Sequence, residues 1–172
     1  MKIALRYLPL SPCLLPLEFL TKNIGANNLD RKSEVHAKAV SNENACHKIY
    51  INLEHSGATS IDQVTSASQS SQAVDIETVN SSYLDELTIP KDVDIVIKVD
   101  VEGYEKVVIE QLMQTDFLNN INTIYYEYDT KIQDDMNTIE KLLKQNGFAK
   151  FFEVKDEGVK DIFNVLSIKS AC

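Results

Sequence analysis

The sequence predicts an α/β fold built on a mostly parallel sheet whose C-terminal strand is antiparallel. In the second half of the chain, the runs follow the order strand, helix, strand, helix, strand, strand. Such alternation is typical of a parallel sheet covered by helices. The run Val93–Ile97 shows almost no polar alternation, as in strands that are buried on both faces. A short turn joins the last two strands, so we expect them to pair antiparallel.

Length and charge limit the domain organisation and the partners. The chain has 172 residues, which fits a single domain over residues 1–172, with a poorly defined N-terminal segment at 1–13. The net charge is −9, from 17 basic and 26 acidic residues. Nucleic acids and anionic membranes are bound by basic surfaces, so the sequence predicts neither as a partner.

The N-terminus and the cysteines predict a cytoplasmic protein. The N-terminal apolar run resembles a signal peptide, but Arg6 and several prolines interrupt it and no small-x-small cleavage site follows. No stretch is long enough to span a bilayer. Widely separated cysteines support neither a disulfide framework nor a zinc ribbon, and they are typical of free thiols in a reducing compartment. These cysteines are Cys13, Cys46 and Cys172.

The first half of the chain predicts one helix and then alternating strands. Leucine and isoleucine recur at spacings of three and four within Leu14–Asn28, and the letters GANN end this helix. Later runs alternate apolar and polar residues, as a strand with one buried face does. These runs are Ser33–Ser41, His47–Leu53 and Val74–Asn80. A turn at Gly57 and a low-complexity loop, Thr65–Gln72, separate the last two.

The second half supplies the remaining elements. One short helical turn is predicted at Tyr83–Leu87, and the clearest helix runs from a cap at Asp134 or Asp135 to a stop at Asn146-Gly147. Apolar stripes and β-branched runs predict the others. They are a strand at Asp94–Val101, a helix at Glu102–Gln114, and strands at Ile121–Asp129, Phe151–Val154 and Ile162–Lys169.

Charged residues concentrate where the strand Asp94–Val101 meets the following helix. Asp100 ends the strand, Glu102 and Gly103 lie in the turn, and Glu105 lies in the first helical turn. Ligands of open parallel sheets bind outside the carboxyl ends of the strands. We therefore expect Asp100 to accept hydrogen bonds from a ligand or to take a proton from a hydroxyl group. Glu127, near the end of the next strand, is expected to point into the same crevice.

A purely structural interpretation also exists for part of this corner. Acidic residues at a helix N-terminus are stabilised by the helix dipole, by about 0.3–1 kcal/mol each. Spacing alone leaves both interpretations open for Glu102 and Glu105. Asp100 differs, because it ends a predicted buried strand and does not cap the helix. Lys98, within the same apolar strand, must extend to solvent or pair with a carboxylate.

The sequence lacks the motifs of several other classes of functional site. The histidines His36, His47 and His55 have no acidic partner at ligand spacing, so the sequence predicts no metal site. The chain contains no G-x-x-x-x-G-K-[ST] motif and no G-x-S-x-G motif. A nucleoside-triphosphate enzyme and a serine hydrolase are therefore disfavoured.

Several segments occur in an order found in one known family. The block KVDVEGYE, Lys98–Glu105, follows LDEL, Leu84–Leu87; Glu127 and then Asn146-Gly147-Phe148 come later. Upstream, Ala39-Val40-Ser41 ends a strand. Over about residues 15–169, this arrangement resembles the FkbM family of S-adenosylmethionine-dependent methyltransferases.

The resemblance implies a fold, a reaction and a set of site residues. The fold is the Rossmann-like fold of class I methyltransferases, the cofactor is S-adenosylmethionine, and the reaction is O-methylation of a hydroxyl on a small molecule or glycan. Asp100, Glu102 and Glu127 are the implied catalytic residues. The implied cofactor-binding residues are Asp100, Ala39, Val40 and Ser41, the last three near the adenine.

The N-terminal part departs from the family pattern. The first strand and its glycine-rich loop, Asp-x-Gly-Ala-Asn-x-Gly, have no counterpart, and Asn23–Asn27 is interpreted as a helix end. Leu8 stands where the family has a glutamate that holds the ribose. We therefore expect an incomplete domain, with cofactor binding in question. The alternative function is a non-catalytic remnant, or one half of a split methyltransferase that does not bind the cofactor alone.

An incomplete sheet has a structural consequence. Loss of a central strand leaves neighbouring strands with an open edge and exposed apolar side chains. We therefore expect marginal stability and association, with a partner fragment or as a homo-oligomer.

Overall fold

The computed structural model describes residues 5–7, 14–52, 59–60, 71–101, 104–129, 133–154 and 162–169. The chain forms two compact units, Met1–Val79 and Asn80–Cys172. Leu8, Gly57 and His55 lie outside the described residues, as do most of the predicted loop Thr65–Gln72 and both terminal cysteines. None of the helices in the described ranges is both long enough and apolar enough to cross a bilayer.

The first unit contains one helix and two sheets. Its elements are β1 (Leu5–Tyr7), α1 (Leu14–Ala26), β2 (Ser33–Val35), β3 (Ala39–Val40), β4 (Ala45–Asn52), β5 (Thr59–Ser60) and β6 (Ser71–Val79). Strands β1 and β2 pair parallel, and the other sheet has the order β3-β6-β4-β5. In that second sheet β3 is parallel to β6, whereas β4 is antiparallel to both β6 and β5.

The helix end predicted at GANN is confirmed. Helix α1 ends at Ala26, and Asn28 adopts a left-handed backbone with φ of 54°. The amide of Leu29 then donates to the carbonyl of Ile24 at 2.9 Å, which satisfies a terminal carbonyl as C-capping turns do. Asparagine is one of the few residues that tolerates this conformation.

The predicted strand Ser33–Ser41 is wrong as a single element. It divides into β2 and β3 because its two halves pair with different strands, β1 and β6. The alternation predicted for Val74–Asn80 is confirmed for Asp75–Thr78, where Ile76 and Thr78 are buried and Asp75 and Glu77 are exposed, but it is wrong for Val79, which is buried as well. A local period of two therefore identified the strands, but it did not identify their partners.

The second unit holds helices against one sheet. Its elements are α2 (Ser81–Glu86), β7 (Ile95–Val99), α3 (Glu105–Leu112), a 3₁₀ turn (Leu118–Asn120), β8 (Ile121–Asp129), α4 (Gln133–Gln145), β9 (Phe148–Val154) and β10 (Ile162–Lys169). Helix α4 ends as predicted: Gly147 has φ of 88°, a left-handed conformation that favours glycine. The Asn146 side chain donates to the carbonyl of Leu142 at 2.9 Å.

The sheet of the second unit has the strand order β7-β8-β10-β9. Strand β7 is parallel to β8, and β10 is antiparallel to both of its neighbours. Strands β7, β8 and β9 thus point one way and the C-terminal strand points the other, as predicted. The α/β class is therefore confirmed.

One mostly parallel sheet for the whole chain is not what the structure shows. The described strands form three sheets, and four of their seven pairings are antiparallel. Between β3 and β4, for example, only Ser41–Asn44 intervene. A connection between two parallel strands needs a crossover of about a dozen residues or more. This short connection therefore reverses the chain direction, so β4 runs opposite to β3.

The core of the second unit lies between the helices and one face of the sheet. Helix α3 packs against β7, β8 and α4, and α4 also packs against β9. The buried apolar residues include Ile109, Leu112, Ile121, Ile124, Tyr126, Ile139, Leu143 and Val165. Burial of a leucine or isoleucine side chain contributes about 1.5–3 kcal/mol, so this interface is the main source of the unit's stability.

The prediction that β7 is buried on both faces is wrong. Val99 is buried and Ile95 and Ile97 are half-buried, but Val96 is 72% exposed. Helix α3 covers one face of the strand, and among the described strands β7 lies at the edge of its sheet and not at the centre. The continuous apolar run therefore does not reflect burial on both sides.

Candidate functional site

Asp100 directly follows β7, at the carboxyl end of the strand. Its side chain is 45% exposed, and its Oδ2 accepts a hydrogen bond from Lys98 Nζ at 2.7 Å. The two residues are separated by two positions, so they lie on the same face of the extended chain. Both outcomes allowed for Lys98 are found, since its side chain is 64% exposed and also pairs with the carboxylate of Asp100.

Glu127 lies on the strand next to Asp100. In the parallel pair of β7 and β8, Lys98 is in register with Tyr125, and Val99 is in register with Tyr126. Neighbouring strands lie about 4.8 Å apart. Extending this register by one residue therefore places Asp100 beside Glu127, near the carboxyl ends of neighbouring parallel strands, which is where ligands of such sheets bind.

The position within the sheet of β7, the strand before Asp100, differs from the prediction. The sequence predicts that Asp100 ends a central strand, but β7 pairs only with β8 among the described strands. Glu102 and Gly103 lie outside the described residues. The role of Glu102 therefore stays a prediction.

Glu105 has a structural role at the same corner. It opens α3, and its side chain is buried. The amide of Val101 donates to its Oε1 at 3.4 Å, a long hydrogen bond. A carboxylate in the first turn is also stabilised by the helix dipole. Of the two interpretations left open for Glu105, the structure therefore favours stabilisation of the turn.

The LDEL segment also has a structural role that the sequence analysis missed. Leu84 is buried in the core, and Asp85 Oδ1 accepts a hydrogen bond from the amide of Asp116 at 2.7 Å. Nearby, Gln111 Oε1 accepts from the amide of Ser81 at 3.0 Å. These bonds join α2 to the C-terminal part of α3 and to the segment that follows it. The Asn80-Ser81-Ser82 run, where Asn80 caps α2, signals only the start of this helix in the sequence.

Ala39, Val40 and Ser41 lie in the first unit. All three are buried, and β3 pairs with the end of β6. The Ser41 amide donates to the Val79 carbonyl at 2.8 Å, and its hydroxyl donates to Asn42 Oδ1 at 3.2 Å. These contacts account for the conformation of the segment. Its role in cofactor binding stays a prediction.

Two histidines have acidic neighbours that the sequence analysis did not predict. His36 Nε2 lies 3.1 Å from Glu34 Oε1, and His47 Nε2 lies 3.2 Å from Glu43 Oε1. Each is a pair of residues close in sequence. Within the described part of the chain, no three histidine, cysteine, aspartate or glutamate side chains are grouped to hold a metal ion.

A shallow depression lies on the exposed side of α4. Its lining residues all come from that helix: Asn137, Glu140, Lys141, Lys144 and Gln145. Lys144 pairs with Glu140 at 2.6 Å across one helical turn, an arrangement typical of a solvated helix surface. None of the predicted site residues borders this depression, so we place the candidate site at the strand ends.

Comparison with known proteins decides the family. The family model of the methyltransferase FkbM domain matches residues 3–150, which is most of the chain. The chain belongs to the FkbM methyltransferase family. No curated protein and no solved structure matches it. The FkbM resemblance predicted from the KVDVEGYE block is thereby confirmed.

Methyltransferases of this kind generally use S-adenosylmethionine, and the strand-end carboxylates of this FkbM domain fit such a ligand in part. The cofactor carries an ammonium group and ribose hydroxyls, all of which donate hydrogen bonds. Asp100 is an exposed carboxylate, and Glu127 is half-buried on the adjacent strand. Carboxylates are acceptors for such donors, and bonds to charged groups are the stronger kind.

Proposed function

We propose that this FkbM domain is an S-adenosylmethionine-dependent methyltransferase that methylates a hydroxyl group on a small molecule or glycan. The family match supports methyl transfer. The observation that supports the site is the pair of carboxylates, Asp100 and Glu127, at the carboxyl ends of neighbouring parallel strands. The acceptor class and the O-methylation follow from the resemblance and from this chemistry.

In the proposed reaction, side chains of the protein position the acceptor hydroxyl and accept its proton. The cofactor, when bound, supplies an electrophilic methyl group. Both contributions of the side chains are typical of enzymes. Lys98 holds Asp100 through Oδ2, which leaves Oδ1 to accept a hydrogen bond from a ligand. Glu127 is our choice for orienting the acceptor, with Glu102 as a further candidate.

Calorimetric titration of the purified chain with S-adenosylmethionine tests the proposal. We expect micromolar binding, and binding at least about tenfold weaker for Asp100→Asn, because a hydrogen bond to a charged group contributes about 1.5–3 kcal/mol. Asp92→Asn is the matched control, since Asp92 is an exposed aspartate before the same strand. Its affinity should equal that of the unaltered chain.

The same titration separates the alternative function. Absence of binding up to millimolar cofactor would contradict the proposal and favour a remnant, or half of a split enzyme. If the cofactor binds, transfer of a labelled methyl group to hydroxyl-bearing sugars and small molecules tests the acceptor class. Loss of the label in alkali indicates a methyl ester and contradicts O-methylation of a hydroxyl, whereas an ether keeps its label and is identified by mass spectrometry of the product.

A further inference from the structure

Strand β7 has an open edge. It pairs with β8 on one side, and no strand in the described ranges pairs with its other side. The backbone groups on an open edge form a template for pairing with another strand. Val96 is 72% exposed beside this edge, and the side chain of Lys98 is 64% exposed. Asp94, just before the strand, is exposed as well.

The sequence of this edge is complementary to itself. Two copies that pair antiparallel about a two-fold axis perpendicular to the sheet keep the same faces on the same side. Residues that face each other are then both even-numbered or both odd-numbered. Each contact occurs twice, as in any isologous interface. With the axis at Val96, the two Val96 side chains meet, and Ile95 faces Ile97. Asp94 of each copy then faces Lys98 of the other.

The neighbouring registers lack this complementarity. An axis at Ile97 places Asp94 opposite Asp100 and Val96 opposite Lys98. An axis at Lys98 places two lysines together, and an axis at Ile95 places Val96 opposite Asp94. Like charges in directly opposed positions are destabilising, and opposite charges or apolar pairs are stabilising. Of the four registers centred on Ile95, Val96, Ile97 and Lys98, only the one centred on Val96 brings both kinds of favourable pair together.

The other edge of the sheet, β9, is less suited to pairing. Lys150 and Glu153 are exposed there. One residue number is even and the other is odd, so the two side chains lie on opposite faces of the strand, and a two-fold pairing cannot bring them opposite each other. The register with β10 is also irregular at Ile168/Lys169, beside the start of β9. Bulges and edge charges of this kind protect a strand from pairing. The structure therefore distinguishes the two edges.

We infer that the chain forms a two-fold dimer through the open edge of β7, with Val96 on the axis and an ion pair from Asp94 to Lys98 of the second copy on each side. The two four-stranded sheets join into one sheet of eight strands. Lys98 then contacts two carboxylates, Asp94 of the second copy and Asp100 of its own chain. The interface thus adjoins the candidate site in both copies.

Sedimentation equilibrium of the full chain over a range of concentrations tests this dimer. The unaltered chain should show a reversible monomer–dimer equilibrium. Lys98→Asp and Asp94→Lys each place like charges opposite each other, so each should weaken dimerisation at least tenfold. The double variant Asp94→Lys/Lys98→Asp restores opposite charges with reversed sign, and it should recover the dimer.

Lys22→Asp is the matched control. Lys22 is also an exposed lysine paired with a carboxylate, Glu18, but it lies on α1, so its reversal should leave the dimer intact. Circular dichroism confirms that each variant is folded. A chain that stays monomeric at millimolar concentration overturns the proposal. So does a dimer that tolerates both single reversals, or a double variant that stays monomeric.

Discussion

At the scale of single residues, a few buried or capping polar side chains hold the turns of this protein. Thr78 Oγ1 donates to the carbonyl of Glu43 at 2.9 Å and accepts from the amide of Ala45 at 3.2 Å, which fixes the turn between β3 and β4. Asp85 has the same kind of role after α3. A buried polar group without its partner costs about 1–3 kcal/mol, so Thr78, which is buried, is a point of sensitivity, whereas the exposed bond of Asp85 contributes less.

Asp85→Ala is expected to lower the free energy of unfolding by about 0.5–2 kcal/mol, because the amide of Asp116 loses its acceptor. Urea denaturation followed by circular dichroism measures the change. Glu86→Ala is the control, since Glu86 is the exposed neighbour of Asp85 in the same helix. Equal effects of the two substitutions would show that the Asp85 contact does not stabilise the fold.

At the scale of elements, β7 combines a covered face and an uncovered face. Val99 is buried on the side that α3 covers, whereas Val96 is exposed on the other side. The strand is therefore stabilised by burial on one face only. Its open edge and its exposed face are both available to a second molecule, and Asp100 extends from its end.

Val99→Ala should cost about 1.5–3 kcal/mol, the contribution of burying a valine side chain. Val96→Ala removes the same atoms from the exposed face of the same strand, so its effect should lie within about 0.5 kcal/mol. Denaturation at low protein concentration, where the proposed dimer dissociates, compares the two. A large loss for Val96→Ala under those conditions would contradict the exposed position of this side chain.

At the scale of the whole molecule, acidic charge dominates. The net charge of −9 at neutral pH keeps copies of the chain apart and disfavours polyanionic partners. The proposed dimer is compatible with this repulsion because its interface pairs opposite charges. Non-specific self-association of the chain is therefore expected only near its isoelectric point, where the net charge is zero.

Solubility should pass through a minimum near pH 4.8, the isoelectric point calculated from the sequence. Turbidity of a concentrated solution, measured as the pH is lowered from 8 to 4, reports this minimum. The Lys22→Asp variant adds negative charge, so its minimum should move to lower pH. A clear solution at pH 4.8 with precipitation above pH 6 would show that charge repulsion does not control solubility.

Much of the fold followed from local patterns. β-Branched and aromatic residues identified the strand Ile121–Asp129, the period of 3.6 residues identified the helix α4, and the short turn predicted the antiparallel C-terminal pair, because each of these signals is local in the chain. The KVDVEGYE block identified the family, and the charged corner predicted Asp100 as a site residue. The pairing of Lys98 with Asp100 was also predictable, since both residues share one face of one strand.

Contacts between distant residues were not predictable from such patterns. The bond from the amide of Asp116 to Asp85 joins residues 31 positions apart. The division of Ser33–Ser41 into β2 and β3 depended on which strands lie beside each half. The sequence by itself thus predicted most of the elements, the family and the carboxylates of the candidate site. Tertiary structure alone decided that β7 lies at an edge with Val96 exposed, because exposure depends on what packs against a strand.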